Sequence, residues 1–405
     1  MKACIWYISK YVSPPTNSGT GGRGYMIMRE IAAMGYRCVI ITSDSNQLTE
    51  VPKLNNQYEI VKNDGLIICW IRTFKYSVAK SIGRIYSWID FEKKLFFFKK
   101  NNIPSPDVVI VSSLSLLTIL NGFLIRKRYK CKLIFEIRDI WPLTITEEGG
   151  FKKTNPFVLF LAYIERLGYK YSDCVVGTMP NLKAHVVNVL GYNRKVDCVP
   201  MGLDSSSVNT LHEVPDEYIK KYIPEGKFIV AHAGTIGITN ALDNYFKCAV
   251  SLSDNKNVHF MIIGDGDLKD KYIKEYEHLT NITFAPKVPK NMVQSVLSYC
   301  DLLYFSVHVS KVWEYGQSLN KVIDYMLSGK PVIASYTGYP SMINEAECGS
   351  FVPAGDINAL KKEILRYNAM TAEEREVIGM RGRRWILKNR TYETLAKNYL
   401  ALMFP

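Results

Sequence analysis

Nine cysteines are scattered through 405 residues without one Cys-X-X-Cys pair, and the six histidines show no metal-ligand spacing. This excludes a zinc-ribbon framework and, with an odd number of thiols, a fully paired disulfide scaffold. Several of the cysteines fall in apolar strand-like runs, where a thiol acts as a small core residue. Reduced thiols and no structural metal are expected. Long hydrophobic runs are also missing. The longest, Pro156–Tyr163 and Leu114–Ile125, fall short of the ~20 residues of a spanning helix, so no bilayer crossing is expected. Met1-Lys2-Ala3-Cys4-Ile5-Trp6 enters a strand-like run without the apolar region of an export signal, which predicts a cytoplasmic chain. No repeat and no low-complexity tract is visible, which excludes solenoids and disordered tails.

What is present is globular. Hydrophobic residues make up 47% and dispersed charged residues 22%, and 405 residues exceed one ordinary core, so two domains follow. The net charge is +13 and the pI about 9.1. Such an excess suits nucleic acid, anionic lipid or phosphorylated small molecules. There is no zinc finger, base-stacking aromatic motif or basic helix with base-reading spacing, so nucleic acid is not expected as a partner.

Strand-like runs alternate with helix-length segments, the pattern of parallel sheets with crossover helices. The runs are Cys4–Ser9, Arg37–Thr42, Asp107–Ser112, Lys132–Ile137 and Asp173–Gly177, then Phe228–Ala233, Val258–Ile263, Ile282–Ala285, Leu302–Val307 and Pro331–Ser335. The expected organisation is an α/β first domain over 1–204, a polar linker over 205–226 and an α/β second domain over 227–388. A last helical segment over 389–405 either caps the second domain or returns to the first. Both domains are read as doubly wound and Rossmann-like, facing each other across a cleft, with ligands at strand C-termini.

Four segments carry chemistry. Pro14 to Gly24 is a Gly-rich turn that includes Gly22 and leads into an amphipathic helix over Tyr25 to Met34; such a turn admits an anion at the helix N-terminus, and a plain surface loop fits it as well. Glu136-Ile137-Arg138-Asp139-Ile140-Trp141-Pro142 puts three charges at a strand end, as a site or as a buried Arg–Asp pair. Gly234-Thr235-Ile236-Gly237, with its partner turn Gly264-Asp265-Gly266-Asp267, suits a phosphate resting on backbone N–H groups, or is merely tight. Gly316 to Val332 places Ser318 as an N-cap, opens a helix N-terminus suited to a diphosphate, and sets Lys321 and Asp324 on one face. Their bland alternative is an intrahelical surface pair.

With these segments and Val199-Pro200-Met201-Gly202-Leu203-Asp204, the sequence resembles the family-four retaining glycosyltransferases of the GT-B fold over nearly its whole length. Arg138-Asp139-Ile140-Trp141-Pro142 and Ser318-Leu319-Asn320-Lys321 resemble the subgroup that builds O-antigen and capsule repeat units, closest to the L-fucosamine (N-acetyl-L-fucosamine) transferases. The resemblance implies a UDP-sugar donor, an undecaprenyl-diphosphate-linked saccharide acceptor, and a peripheral place on the inner face of the cytoplasmic membrane. It implies that Arg138, Asp139 and Lys321 act at the reacting sugar and leaving group. It further implies that Gly22, Gly234, Thr235, Gly237, Lys287, Val288, Ser318, Leu319, Asn320 and Asp324 hold the donor, Asp324 through the ribose. No cofactor or metal is expected, since the helix N-terminus and lysines stabilise the leaving diphosphate, and the departing phosphate itself takes the acceptor proton. The sequence departs from the family where its first motif acid falls on Gly316, and where the diphosphate-clamping arginine and lysine fall on Thr235 and about Asn240. Lys287 and Lys321 are then the candidates to replace that charge. The alternatives are a GT-B-type sugar-nucleotide epimerase or phosphorylase, and a non-catalytic nucleotide-binding module.

Arg72 to Lys100 interleaves cations with aromatics, including Arg72, Lys75, Lys80, Arg84, Lys93, Lys94, Lys99 and Lys100. From about Ala79 it predicts a helix of five or more turns docking on anionic membrane. The alternative is a crossover helix burying Ile82, Ile85, Ile89 and Phe96 on the sheet.

Overall fold

The computed structural model describes residues 2–12, 14–15, 21–46, 51–76, 81–113, 115–205, 208 and 212–405. Parts of the Gly-rich turn (16–20), of the linker, and Lys80 lie outside the described residues. The chain forms two units, one of Met1–Pro200 with Tyr392–Pro405, the other of Met201–Thr391.

The first unit holds strands β1 (Cys4–Ile8), β2 (Arg37–Ser43), β3 (Tyr58–Asn63), β4 (Leu66–Ile71), β5 (Val108–Ser112), β6 (Lys132–Ile137), β7 (Cys174–Gly177) and β8 (Val196–Cys198). They form one sheet in the order β3-β4-β2-β1-β5-β6-β7-β8. Only the edge pair β3–β4 is antiparallel. The central strands β1 and β5 are buried at every residue, as a sheet covered on both faces requires. The helix Tyr392–Met403 packs into this unit's core through Leu395, Ala396 and Tyr399.

The second unit holds β9 (Phe228–Ala233), β10 (Val258–Ile263), β11 (Ile282–Ala285), β12 (Leu302–Ser306), β13 (Val332–Ser335) and β14 (Gly349–Val352). Their order is β11-β10-β9-β12-β13-β14, parallel throughout. Strand order reverses between β9 and β12, and a ligand crevice forms outside the strand C-termini at such a switch point. The stretch 205–226 contributes a helix, Asp216–Tyr222, to this unit. Both units are α/β and doubly wound, the architecture of the GT-B fold.

Candidate active site

At the second unit's switch point, two glycine turns interlock by backbone. Gly234 donates its N–H to Ile263 at 2.9 Å and Ile236 to Asp265 at 2.9 Å. Gly264 and Gly266 both have φ of +154°, and a Cβ on them would come within 1.9 Å of the Gly234 oxygen and 2.3 Å of the Ile236 oxygen. Glycine is demanded there by approach as much as by dihedral.

The helix Asn320–Leu327 is anchored against the same strand end by Tyr325. The Tyr325 hydroxyl accepts from Ala233 N at 2.8 Å and lies 2.9 Å from the Ala233 carbonyl oxygen. One turn earlier on the helix, this brings Lys321 over Gly234, where an added Cβ would stand 3.7 Å from the Lys321 Nζ. Lys321 Nζ donates to Asn240 Oδ1, and Asn240 Nδ2 donates to the Thr235 carbonyl at 2.6 Å. Burial pushes the Lys321 ammonium down to about 8. Beside it, burial and the Lys321 charge hold His232 at about 3, hence neutral. With Tyr304 O 3.2 Å from His232 Nδ1, that nitrogen carries the proton.

Ser318 is not the N-cap. Leu319 occupies that position and offers no side-chain cap, while the Ser318 hydroxyl accepts from Met201 N at 2.9 Å. The N–H groups of the helix start are thus left without a side-chain acceptor, with Asn320 exposed at the first position. Nor do Lys321 and Asp324 pair. Both Asp324 oxygens accept from Lys290 Nζ at 2.5 Å, a cation unnoticed in the sequence because it lies 34 residues away. Lys287 is exposed after β11, Val288 packs half-buried on the unit's core, and Thr235 and Gly237 lie on the turn after β9.

In the first unit, the three charges after β6 part company. Glu136 lies inside the strand, wholly buried, 2.7 Å from the Arg23 guanidinium, which is equally buried. Tyr7 and Tyr399 hydroxyls donate to it at 2.7 and 2.9 Å. Arg23 also donates to the carbonyls of Pro200 and Val199 at 2.9 and 2.5 Å. Burial alone would raise this carboxyl, but Arg23, the Tyr7 hydroxyl and Arg138 hold it below its usual range. So a buried Arg–carboxylate pair exists, and it is Arg23–Glu136, not Arg138–Asp139. The helix carrying Arg23 spans Arg23–Ala33, two residues earlier than the sequence suggests, with Gly22 at its N-cap.

Asp139 accepts from the Trp141 indole at 2.7 Å and the Thr144 hydroxyl at 2.6 Å, so its carboxylate shapes the turn. Arg138, at the same strand end, donates its backbone N–H to Ser113 at 3.1 Å and is half-buried. Two buried titratable groups nearby escaped the sequence reading. Lys10 is 1% exposed, donates to Ser45 O at 2.8 Å, and is lowered by burial and Arg84 to about 7. Glu92 accepts from Thr118 at 2.6 Å and Asn121 at 2.8 Å and is raised by burial to about 7. The signal for Lys10 was available: a lysine immediately after the central strand.

The helix of the basic–aromatic stretch is Ile82–Phe97, 16 residues. It buries Trp88, Phe91 and Leu95, not Ile82, Ile89 and Phe96, which are 86%, 52% and 55% exposed. Exposed Ile82, Tyr86, Ile89, Lys93 and Phe96 recur at spacings of three and four and form one stripe. Lys94 pairs with Asp90 at 2.8 Å, and Lys100 is buried against the Leu95 and Phe98 carbonyls. Lys93 and Lys99 are exposed.

Residues 227–369, all within the second unit, match the family model described as Glycosyl transferases group 1. The chain is a glycosyltransferase. Among solved structures, the glycosyltransferase is similar to a sucrose-phosphate synthase from Thermosynechococcus elongatus, at TM-score 0.73 and 17% identity, covering 99% of this chain and 98% of that one. It is similar, at TM-score 0.73 and 10% identity, to the trehalose-6-phosphate structure from E. coli bound with UDP-2-fluoro glucose, covering 99% of each. A third is HepE of Anabaena in complex with UDP and glucose, at TM-score 0.61 and 12% identity, again covering 99% of each. No curated protein sequence matches the chain. Among the described residues, no helix is long and apolar enough to cross a membrane, and no group of three His, Cys, Asp or Glu is placed to hold a metal ion.

Proposed function

We propose that this glycosyltransferase moves a hexose from a UDP-sugar to a lipid-linked saccharide, with retention, at the cytoplasmic face of a membrane. The observation that carries the donor half is Lys321 held over Gly234 by Asn240, next to a helix start without a side-chain cap. A buried cation and free N–H groups at one strand end form an anion seat, and stabilising the departing diphosphate is the largest contribution a protein makes to such a transfer. The UDP and UDP-sugar ligands of two of the similar structures favour a uridine donor. Asp324 holds the ribose, sharing its carboxylate with Lys290; Ser318, Leu319 and Asn320 meet the diphosphate. With this charge in place the reaction is expected to proceed in EDTA.

The acceptor half rests on the first unit. Arg138 at the C-terminal end of β6 serves the reacting sugar, while Asp139 holds the turn beneath it. A pocket of about 340 Å³ at the ends of β2 and β4 has Lys53, Arg72 and Lys75 against the single carboxylate Asp44, which suits an anionic acceptor such as an undecaprenyl-diphosphate-linked saccharide. The exposed stripe on Ile82–Phe97 supports docking on anionic lipid. From the resemblance, the hexose is N-acetyl-L-fucosamine and the product an O-antigen or capsule unit. The test is incubation of radiolabelled UDP-sugars with lipid-linked acceptor: transfer to lipid supports the reading, whereas conversion to another soluble UDP-sugar identifies an epimerase and tight binding without turnover a regulatory module.

A further inference from the structure

The two long apolar runs of the sequence, Leu114–Ile125 and Pro156–Tyr163, lead into or lie within the helices Thr118–Tyr129 and Pro156–Tyr171. Neither helix is buried all round. Leu120 and Leu124 face solvent on the first, and Leu159, Phe160 and Tyr163 on the second; Leu124, Leu159 and Tyr163 are 49%, 57% and 60% exposed. With Ile82–Phe97 these helices form one layer. They connect β4 to β5, β5 to β6 and β6 to β7, each step advancing the same way across the sheet, so right-handed crossovers lay all three on one face. Glu92 accepts from Thr118 and Asn121, tying the first helix to the second, and Arg126 donates to the Tyr171 carbonyl at 2.6 Å, tying the second to the third. The opposite face carries Arg23–Ala33 and Tyr392–Met403, which expose no large apolar side chain among the described residues. The exposed stripes continue into cations at the same three- and four-residue spacing: Leu120, Leu124, Lys127 and Arg128 on one helix, Leu159, Tyr163, Arg166 and Lys170 on the next. The only acids in the three helices are Asp90, Glu92 and Glu165. Glu92 and Glu165 are buried, Glu165 against His185 at 2.7 Å, and Asp90 pairs with Lys94. The outer side of the layer is thus apolar and cationic, without an unpaired carboxylate.

We propose that this whole layer, and not the Ile82–Phe97 stripe alone, rests on an anionic bilayer, with the first unit's sheet parallel to the membrane plane. The leucine, isoleucine and tyrosine side chains enter the boundary between acyl chains and headgroups, while Lys93, Lys127, Arg128, Arg166 and Lys170 meet lipid phosphates. Exposed apolar surface of this extent marks an interaction site. A second copy of the same surface is the wrong partner, since it would set cations against cations with no carboxylate to answer them. Each crossover helix runs back against its strand. The apolar ends of Thr118–Tyr129 and Pro156–Tyr171 therefore lie at the edge where the strands end, the edge that carries Arg138. A lipid-linked acceptor then reaches that edge sideways, along the membrane surface. This inference rests on the membrane-docked reading of the enzyme.

Binding of the full chain to vesicles of phosphatidylethanolamine and phosphatidylglycerol tests it. Leu124→Ser with Leu159→Ser and Tyr163→Ser leaves the Ile82–Phe97 stripe untouched. It is expected to lower the vesicle partition coefficient about tenfold or more, with Tm little changed because all three are surface side chains. Spin labels on Tyr86→Cys, Leu124→Cys and Tyr163→Cys, each combined with Cys198→Ser to remove the exposed native thiol, report the orientation. All three are expected to become shielded from a water-soluble relaxing agent when vesicles are added. Shielding at position 86 alone, or wild-type partitioning of the triple variant, would reduce the contact to a single helix and overturn the layer. So would a wild type that is dimeric in solution and made monomeric by the triple variant, which assigns the surface to a second copy. A wild type that binds no vesicle removes membrane docking itself.

Discussion

The Lys321 ammonium donates to the Oδ1 of Asn240, so a position where the resembling family carries a diphosphate-clamping lysine holds the acceptor that fixes one supplied by another helix. In the proposed donor seat the positive charge comes from Lys321, on the helix after β12, and not from position 240.

Donor affinity is expected to follow the charge on that lysine. Burial lowers Lys321 to about 8, so UDP affinity is expected to be full well below pH 8 and to decline as the pH rises through it. Folding stability moves the other way. An unfolded lysine keeps its proton to about 10.4, so the penalty of the buried charge is complete below pH 8 and fades between 8 and that value. Lys321→Met is expected to weaken UDP about ten- to a hundredfold, the range for a charged hydrogen bond. Calorimetry from pH 6.5 to 9.5 checks it, and a flat profile would count against the clamp.

Asp324→Asn is expected to weaken UDP about tenfold with little change in Tm. Its pair with Lys290 is partly exposed, and such pairs contribute about 0–1 kcal/mol. Lys290→Met, by contrast, leaves UDP affinity nearly unchanged. Wild-type affinity in a folded Asp324→Asn protein would falsify the ribose role.

Arg138 and Glu136, two residues apart, should fail differently. Arg138→Ala lowers kcat more than donor affinity and leaves the urea midpoint almost unmoved. Glu136→Gln strands the buried Arg23 charge and should cost about 3–5 kcal/mol in urea unfolding. Because Glu136 sits below its ordinary range, its contribution is present above the usual carboxylate pKa and lost as the pH falls through its own lowered value. Equal destabilisation by both variants would make Arg138 a structural residue.

Membrane docking, as proposed, is expected to depend on the exposed stripe and on Lys93 and Lys99, and not on Lys94 or Lys100. Lys93→Glu with Lys99→Glu removes about 2 kcal/mol of attraction and should abolish co-sedimentation with anionic liposomes. Ile82→Ser with Phe96→Ser should weaken it on neutral liposomes as well, and UDP affinity should survive both. Sedimentation unaltered by either pair would remove the membrane claim.

The inner strands were mostly legible because buried parallel strands write themselves as short apolar runs. The hairpin β3–β4 was missed: Tyr58–Asn63 is an exposed edge, while Leu66–Ile71 is such an apolar run and was overlooked, as were the short edge strands Val196–Cys198 and Gly349–Val352. The hairpin's turn was nevertheless signalled by Asp64-Gly65, at φ of +50° and +74°, the residues a tight hairpin prefers. The site was legible where it is local: the glycine turns, and the helix carrying Lys321. It was misread where a partner is remote. Ser318 has the composition of a cap, yet its acceptor is used by Met201, 117 residues earlier. Glu136 looked like one of a trio, yet its partner Arg23 lies 113 residues away. No local pattern carries such pairings.

The hydroxyl of Tyr399 on Glu136 has a consequence for how the molecule is made. The first unit receives its last helix only after residues 201–391 have been synthesised, and a buried carboxylate at its centre waits for that helix. On the ribosome, the second unit is therefore the first able to close on all its own parts, since domains fold as units during synthesis. Until Tyr399 emerges, the part of the first unit's core that Leu395, Ala396 and Tyr399 fill stays open.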